Sequence, residues 1–381
     1  MRWHRSFRYR SDLYEEFMSW NQMSNCSTGD FLNGLLMKKE TNSLFPDDHG
    51  SQTRGSQVYY GKLRTLVLRK RPKISKVKSP KHTVPKERMS MVIKLANEGS
   101  VIVERDGPIG RLVLNRPDKG NALSFADADF LVSCLHSLEE DDDIKVIILK
   151  GRGPSFCVGH DFDEIVKAYG IEAKQGGPRP SKPSQRKRIM IDRKLAENYM
   201  AFQYSIKPVI AQVHGWAVGM GMYMAELVDL VVCSDDAKFS HAEQRLGFAG
   251  NTWHLATEIL LYGPKKAREL LLFGSEFSGT EAERIGLANI SVPAEHLEAT
   301  AEEWAERVAR NPKDALVIGK AIHQMALDSL GATQQFYRGY VGHTLGTNIR
   351  FESDEFNFFR HRRDHGTKEA FRSRDEQWND E

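Results

Sequence analysis

The chain has 381 residues, 40% of them hydrophobic and 28% charged, which is enough to bury a sizeable core in one large domain or two smaller ones. The formal charge of +3 conceals a division, because residues 1–90 hold 18 Lys/Arg against 8 Asp/Glu and the remainder is net negative. Basic character therefore belongs to the leading segment, and the larger part offers no broad electrostatic case for nucleic-acid binding.

Residues 1–90 read as a basic, disordered extension. They are rich in Ser, Asn, Arg and Lys, and 62–88 holds eleven basic residues against Glu87 alone. Such a run is a solvated arm, or else a tail for an anionic surface such as RNA. The start, Met1-Arg2-Trp3-His4-Arg5, has no acid before Asp12, but Glu15 and Glu16 follow and no apolar h-region is present. Organelle import is not expected. Met89-Ser90-Met91 stands directly before the first regular strand and reads equally as a second start.

Order is expected from residue 91, with a core over 91–292. Val101–Glu104 and Arg111–Asn115 read as strands joined across Asp106-Gly107-Pro108, and Ser124 as the N-cap of a helix over 125–140. Ile144–Lys150 is a short continuous apolar run, the signature of a strand buried on both faces. A glycine turn, Phe156-Cys157-Val158-Gly159-His160-Asp161, follows it. Lys174–Lys194, inside a 170–195 insertion, then carries eight basic residues against Asp192. This reads as an exposed loop or lid, with Arg179, Lys182, Arg186, Lys187 and Arg188 as candidate phosphate contacts.

Pro208–Val213 is a second buried strand. It stops at His214-Gly215, and Val218-Gly219-Met220-Gly221 opens a helix. The stretch 208–234 is apolar, but Gln212, His214, Glu226 and Asp229 interrupt it, so strand–turn–helix–strand is expected and no membrane span. From Gly263 onward the pattern is helical over 264–273, 280–287, 294–310, 313–329 and 333–348, and a basic-aromatic tail, Phe358–Trp378, closes a helical region of 293–381. Cys26, Cys134, Cys157 and Cys233 form no CxxC or metal-ligand spacing, which suits reduced thiols in the cytoplasm. No metal site is expected.

The two glycine turns, each offering backbone N–H groups, form a candidate oxyanion hole for a carbonyl becoming an enolate. Glu243 lies shortly beyond as candidate acid/base. Burial beside Phe239, Leu246 and Phe248 should raise its pKa toward neutrality. His241, two residues earlier, is either a structural histidine or a partner that polarises Glu243.

These residues resemble the crotonase (enoyl-CoA hydratase/isomerase) superfamily. The likeness rests on five motifs in order: LNRPDKGNALS (114–124), IKVIILKGRGPSFCVGHDF (144–162), KPVIAQVHGWAVGMGM (207–222), DLVVCSDDAKFSHAEQRLGF (229–248) and SGTEAERIGLANISV (278–292). The resemblance implies an α/β fold, a superhelix of ββα repeats with a C-terminal helical region that makes trimers or dimers of trimers. It implies an acyl-CoA thioester as substrate, with no separate cofactor because coenzyme A is part of that substrate. The oxyanion donors would be the backbone N–H groups of His160 and Met220. Coenzyme A would meet Ala122, Leu123, His160 and Asp161, and at the adenine end Phe371 and Arg374. Hydratases of this family use two glutamates; the second matches Glu243, whereas Tyr223 stands at the first. A phenol is a poor base at neutral pH but can orient water or donate a proton. The expected activity is water addition to a 2-enoyl-CoA. Double-bond isomerisation and β-oxoacyl-CoA hydrolysis or decarboxylation stand as alternatives, and a non-catalytic RNA-binding relative as a more distant one.

Overall fold

The computed structural model describes residues 99–170 and 182–378. The 1–90 extension, its 62–88 basic run, Cys26 and Arg179 lie outside the described residues.

The strand order follows from the apolar runs. Strands β1 (Val101–Asp106) and β2 (Ile109–Leu114) pair antiparallel. β2, β3 (Val146–Gly151), β4 (Val209–Val213), β6 (Leu230–Ser234) and β9 (Ile290–Val292) then pair parallel in a six-stranded sheet ordered β1-β2-β3-β4-β6-β9. A smaller sheet holds β5 (Trp216–Val218), β7 (Lys238–Ser240) and β8 (Phe277–Ser278). Twice, a strand of the large sheet is followed directly by one of the small sheet: β4 by β5, and β6 by β7. This shuttling carries the chain to the corner where the site lies.

The large sheet is covered on both faces, which explains why its strands read as continuous apolar runs. On one face Ile147, Leu149, Val209, Ala211, Val231 and Cys233 join the main core, packed by α1 (Phe125–Glu139) and α4 (Met220–Leu227). On the other, Val146, Ile148, Ile210 and Val232 meet Leu297, Ala301, Ala305 and Ala309 of α7 (Leu297–Ala309). The first helix after residue 293 is thus part of the sheet's packing. Its small residues at spacings of four let the helix lie close to the strands.

Helix α1 starts where Ser124 places it. Ser124 accepts from the Asp127 N–H while Asp127 reaches back to the Ser124 N–H, a reciprocal capping box. Just upstream, Asn121 has φ 60° and donates to the carbonyls of Arg152, Ser155 and Phe156. The first motif is thereby tied to the loop after β3.

The basic run expected to be a loop is corrected in its second half. After α2 (Phe162–Tyr169), helix α3 spans Gln185–Gln203, capped by Ser184. Its buried face includes Arg188, Asp192, Leu195, Ala196, Tyr199 and Phe202, a helical spacing whose first two members are charged. A hydrophobicity pattern cannot reveal a stripe that begins with ions. Lys182, Arg186 and Lys187 are exposed, Arg188 is 1% exposed and covers the Tyr169 ring, and none of the four lines the cavity described below.

Helices α5 (Leu255–Phe273), α6 (Gly279–Ile285), α8 (Lys313–Ser329), α9 (Ala332–Gly346), α10 (Phe358–His365) and α11 (Thr367–Glu376) complete the described chain. Helix α5 bends at Gly263, which has φ 74°, ahead of Pro264. Among the described residues no helix is long and apolar enough to cross a membrane.

Candidate active site

Two loops are sewn together before any side chain is considered. The Cys157 N–H donates to Trp216 O at 3.0 Å, and Val218 N–H returns to Cys157 O at 2.9 Å. Leu123 N–H donates to Gly159 O, and Asp161 N–H to Leu123 O. The turn after β3 is thus clamped between the first motif and the entrance to α4. Closeness here depends on glycine: a Cβ at Gly221 would lie 2.1 Å from Cys157 O, a backbone atom that cannot yield. Gly219, at φ 52° and ψ −119°, swings the chain into α4.

His160 and Met220 follow these turns, and neither N–H donates to a backbone carbonyl among the described residues. Both residues line one cavity of about 420 Å³, together with Gly159, Gly219, Tyr223 and Glu243. Gly159 and Gly219 are in direct approach, a Cβ on Gly159 falling 3.5 Å from Met220 N. A helix N-terminus and a glycine turn therefore present free donors to one space.

Glu243 sits in a short 3-10 turn, Ala242–Leu246, directly after β7. Its Oε1 accepts from Tyr223 Oη at 2.6 Å and faces His241 Nδ1 at 3.2 Å. Its Oε2 is buried with no hydrogen-bond partner among the described residues, and a Cβ on Gly219 would stand 3.8 Å from it. The expected rise of the Glu243 pKa is overturned. Burial does push it up, but the hydrogen bond and charge of His241, with the Tyr223 hydroxyl, hold it below its ordinary value. Tyr223 moves the other way: burial and the adjacent Glu243 charge push its phenol well above the usual range, so it is a neutral donor.

Behind Glu243 lies a buried network. Glu226 accepts from Tyr262 Oη at 2.7 Å and stands 3.1 Å from His241 Nε2 and 2.7 Å from His254 Nε2. Glu258 accepts from Thr252 Oγ1 at 2.6 Å. Burial would raise Glu226, yet the two imidazoles bring it down to about 2. Burial would lower His241, yet Glu226 and Glu258 lift it well above its ordinary value. His241 is therefore an imidazolium spanning two carboxylates, Glu226 and Glu243. Ligand atoms of Glu226, His254 and Glu258 lie within 4.8 Å of one another, a constellation that could hold a cation. Two of its members already take hydrogen bonds from Tyr262 and Thr252.

The other expected contacts divide. Ala122, His160, Phe371 and Arg374 line the cavity, with Phe359 and Phe162 beside the last two. Phe371 packs on Phe162 at 5.9 Å, and the Arg374 guanidinium lies over the Phe371 ring at 4.9 Å. Leu123 and Asp161 are not among the wall residues. Leu123 is fully buried and both its backbone groups pair with the 159–161 segment, while Asp161 precedes α2 and lies 3.9 Å from Arg116. Their backbone groups take part in the strand-like pairing of the two loops. The His160 ring, pushed down to about 4 by burial, is neutral and reaches Tyr199 Oη at 2.8 Å. Asp229, directly before β6, accepts from Val209 N–H and Lys320.

Sequence reasoning missed Tyr199, His343 and Asn251, which also line the cavity. Tyr199 and His343 come from helices α3 and α9, far from the motifs, and no local spacing marks them. The His254–Glu258 pair, at i and i+4, was the one readable sign of the buried network.

A family model described as enoyl-CoA hydratase/isomerase matches residues 104–344. A short-chain-enoyl-CoA hydratase of Clostridium acetobutylicum is 30% identical over 261 residues, covering 68% of this chain and 88% of that protein. A peroxisomal Delta(3,5)-Delta(2,4)-dienoyl-CoA isomerase of Arabidopsis thaliana is 33% identical over 187 residues, covering 48% and 65%. The solved enoyl-CoA hydratase of Mycobacterium smegmatis superposes with a TM-score of 0.62 at 24% identity, covering 74% of this chain and 95% of that one, a likeness of fold.

Proposed function

This chain belongs to the enoyl-CoA hydratase/isomerase family, and from that premise we propose that it moves the double bond of an enoyl-CoA by a single-carboxylate proton transfer. The observation that carries this is Glu243: one carboxylate held in its ionised form, Oε1 tethered by Tyr223 and His241, Oε2 unpartnered beside Gly219. The thioester oxygen of a 3-enoyl-CoA takes the N–H groups of His160 and Met220. Glu243 removes a proton from the α carbon, the electrons delocalise into the thioester as a dienolate, and the same proton returns to the γ carbon. The product is the conjugated 2-enoyl-CoA. Each oxyanion donor is worth about 3–4 kcal/mol of barrier, and the general base about 10²–10⁴ in rate.

A second reading, hydration of a 2-enoyl-CoA, is supported by Tyr223, whose hydroxyl lies 2.6 Å from Glu243 and can orient a water for addition to the β carbon. Hydrolysis and decarboxylation of a β-oxoacyl-CoA draw on the same oxyanion donors. Assembly as a trimer or dimer of trimers belongs to this proposal, supported by Ile318, Ile322 and Met325, which leave α8 with an exposed apolar stripe. A cytoplasmic location is supported by the buried free thiols of Cys134, Cys157 and Cys233. The Phe371–Arg374 end of the cavity would receive the adenine and phosphates of coenzyme A.

The test is a panel of 3-enoyl-, 2-enoyl- and β-oxoacyl-CoAs with wild type and Glu243→Gln. Conjugated thioester forming from 3-enoyl-CoA, lost in the variant with binding retained, supports isomerisation. Loss of conjugation from 2-enoyl-CoA alone moves the assignment to hydration, and free thiol moves it to hydrolysis. Full activity in Glu243→Gln removes that residue from the mechanism.

A further inference from the structure

The cavity wall beyond Tyr199 holds a polar group that the proton transfer does not use. His343, on α9, stacks on Trp253 with ring centroids 4.3 Å apart, and its Nδ1 lies 3.1 Å from Oδ1 of Asp192 on α3. Asp192 is fully buried, and its other partners are the hydroxyls of Tyr169 and Thr344. A carboxylate can only accept, so the ring nitrogen facing it carries the proton, and in the neutral imidazole Nε2 is then the acceptor. Nε2 has no hydrogen-bond partner among the described residues, and 21% of the His343 side chain remains open. Asn251 adds a donor. It lines the same cavity, its Nδ2 is buried without a partner among the described residues, and the amide packs on α9 one turn from His343, where a Cβ on Gly346 would lie 2.8 Å from Nδ2.

Position decides what this pair can address. Trp253 lies 5.2 Å from Tyr199, and Tyr199 lies 5.3 Å from Tyr223, the donor to Glu243. Three aromatic rings, Trp253, Tyr199 and Tyr223, therefore separate His343 from the proton-transfer carboxylate, and the imidazole meets the far part of an acyl chain. Between the two polar ends the walls are apolar, with Ile165, Leu195 and Phe248.

We propose that His343 and Asn251 form a subsite for a hydroxyl carried by the acyl chain beyond its β carbon, so that the preferred substrate is a hydroxylated acyl-CoA. A hydroxyl satisfies both groups at once, donating to Nε2 of His343 and accepting from Nδ2 of Asn251. A carbonyl or carboxylate has no proton for Nε2. A plain alkyl chain leaves an acceptor and a donor unpaired in an apolar slot, and sites built to bond a substrate hydroxyl reject the analogue lacking it strongly. Asp192 is a positioning residue, holding the imidazole in the tautomer that accepts.

The proposal rests on the acyl-CoA reading of the cavity, and the experiment separates the two. Full-length protein is titrated calorimetrically with matched pairs of saturated acyl-CoAs, with and without a hydroxyl at the chain end, across a series of lengths. Wild type is expected to favour the hydroxylated member at one or more lengths by at least roughly tenfold. His343→Leu is expected to erase that preference while holding the plain chain as tightly as before. Asn251→Ala, a milder truncation, is expected to reduce it. Equal binding of both members at every length by wild type, or an undiminished preference in both variants, overturns the subsite and leaves the acyl-CoA reading standing. Failure of every acyl-CoA to bind overturns both.

Discussion

At the scale of single residues, the protonation of Glu243 is decided by its neighbours. A buried carboxylate alone would be a stronger base, but the His241 imidazolium and the Tyr223 hydroxyl both favour its charged form. The sign follows directly. The active carboxylate is present above its depressed pKa and is lost only as pH falls through that value. The acid limb of kcat/KM is therefore expected below the ordinary glutamate value of 4.5, and a pH–rate profile with the limb near neutrality would contradict the hydrogen-bonded arrangement. Tyr223→Phe removes one donor to the charged form. It is expected to move the limb upward and to lower kcat less than Glu243→Gln, as stopped-time assays across pH would show.

The network behind Glu243 has its own dependence on pH. Glu226 is held down to about 2, so its stabilising contribution is complete above its ordinary value of 4.5 and declines as pH falls from there toward about 2. His241 is raised, so its contribution is complete below 6.5, declines as pH rises from there, and is gone once pH has passed through the raised value. Thermal unfolding followed against pH should show the acid-side loss, and Glu226→Gln should flatten it while lowering stability at neutral pH through the orphaned imidazoles.

At the scale of elements, the site depends on how closely α4 approaches the turn after β3. Gly221→Ala places a methyl 2.1 Å from Cys157 O, and the carbonyl is fixed by the Val218 N–H. The helix start must shift, moving Met220 N–H away from His160 N–H. We expect destabilisation of about 1–3 kcal/mol with a larger fractional loss of kcat, since a displacement near 1 Å at a reacting centre costs about 10²-fold. Chemical denaturation paired with steady-state kinetics distinguishes the two; unchanged kcat would separate the turn from the chemistry. The same scale explains the misread helix α3. Its buried stripe opens with Arg188 and Asp192, and the latter is tied by Tyr169, His343 and Thr344. Polar residues that find partners only across the fold are indistinguishable, in sequence, from a solvated run.

At the scale of the whole molecule, α8 presents Ile318, Ile322 and Met325, each more than half exposed and spaced at four and three residues on one helical face. An isolated chain rarely leaves such a stripe to water. Sedimentation of the purified protein is expected to show a trimer or a multiple of it, and Ile322→Glu to shift it toward monomer with little change in far-ultraviolet circular dichroism. A monomeric wild type would leave the stripe without this role.

Sequence alone determined what local chemistry determines. Apolar runs marked strands buried on both faces, Ser124 marked a helix start, and glycines marked turns where backbones approach. His160, Met220 and Glu243, named from those motifs and the family resemblance, line one cavity because they lie beside the punctuation that shapes its loops. Tertiary structure decided the charge state of Glu243 and the presence of Tyr199, His343 and Asn251 in the cavity wall. The reason is one of range: His343 meets Asp192 across 151 positions of chain, and a pKa is set by the groups that surround a carboxylate in space, which no spacing along the chain records.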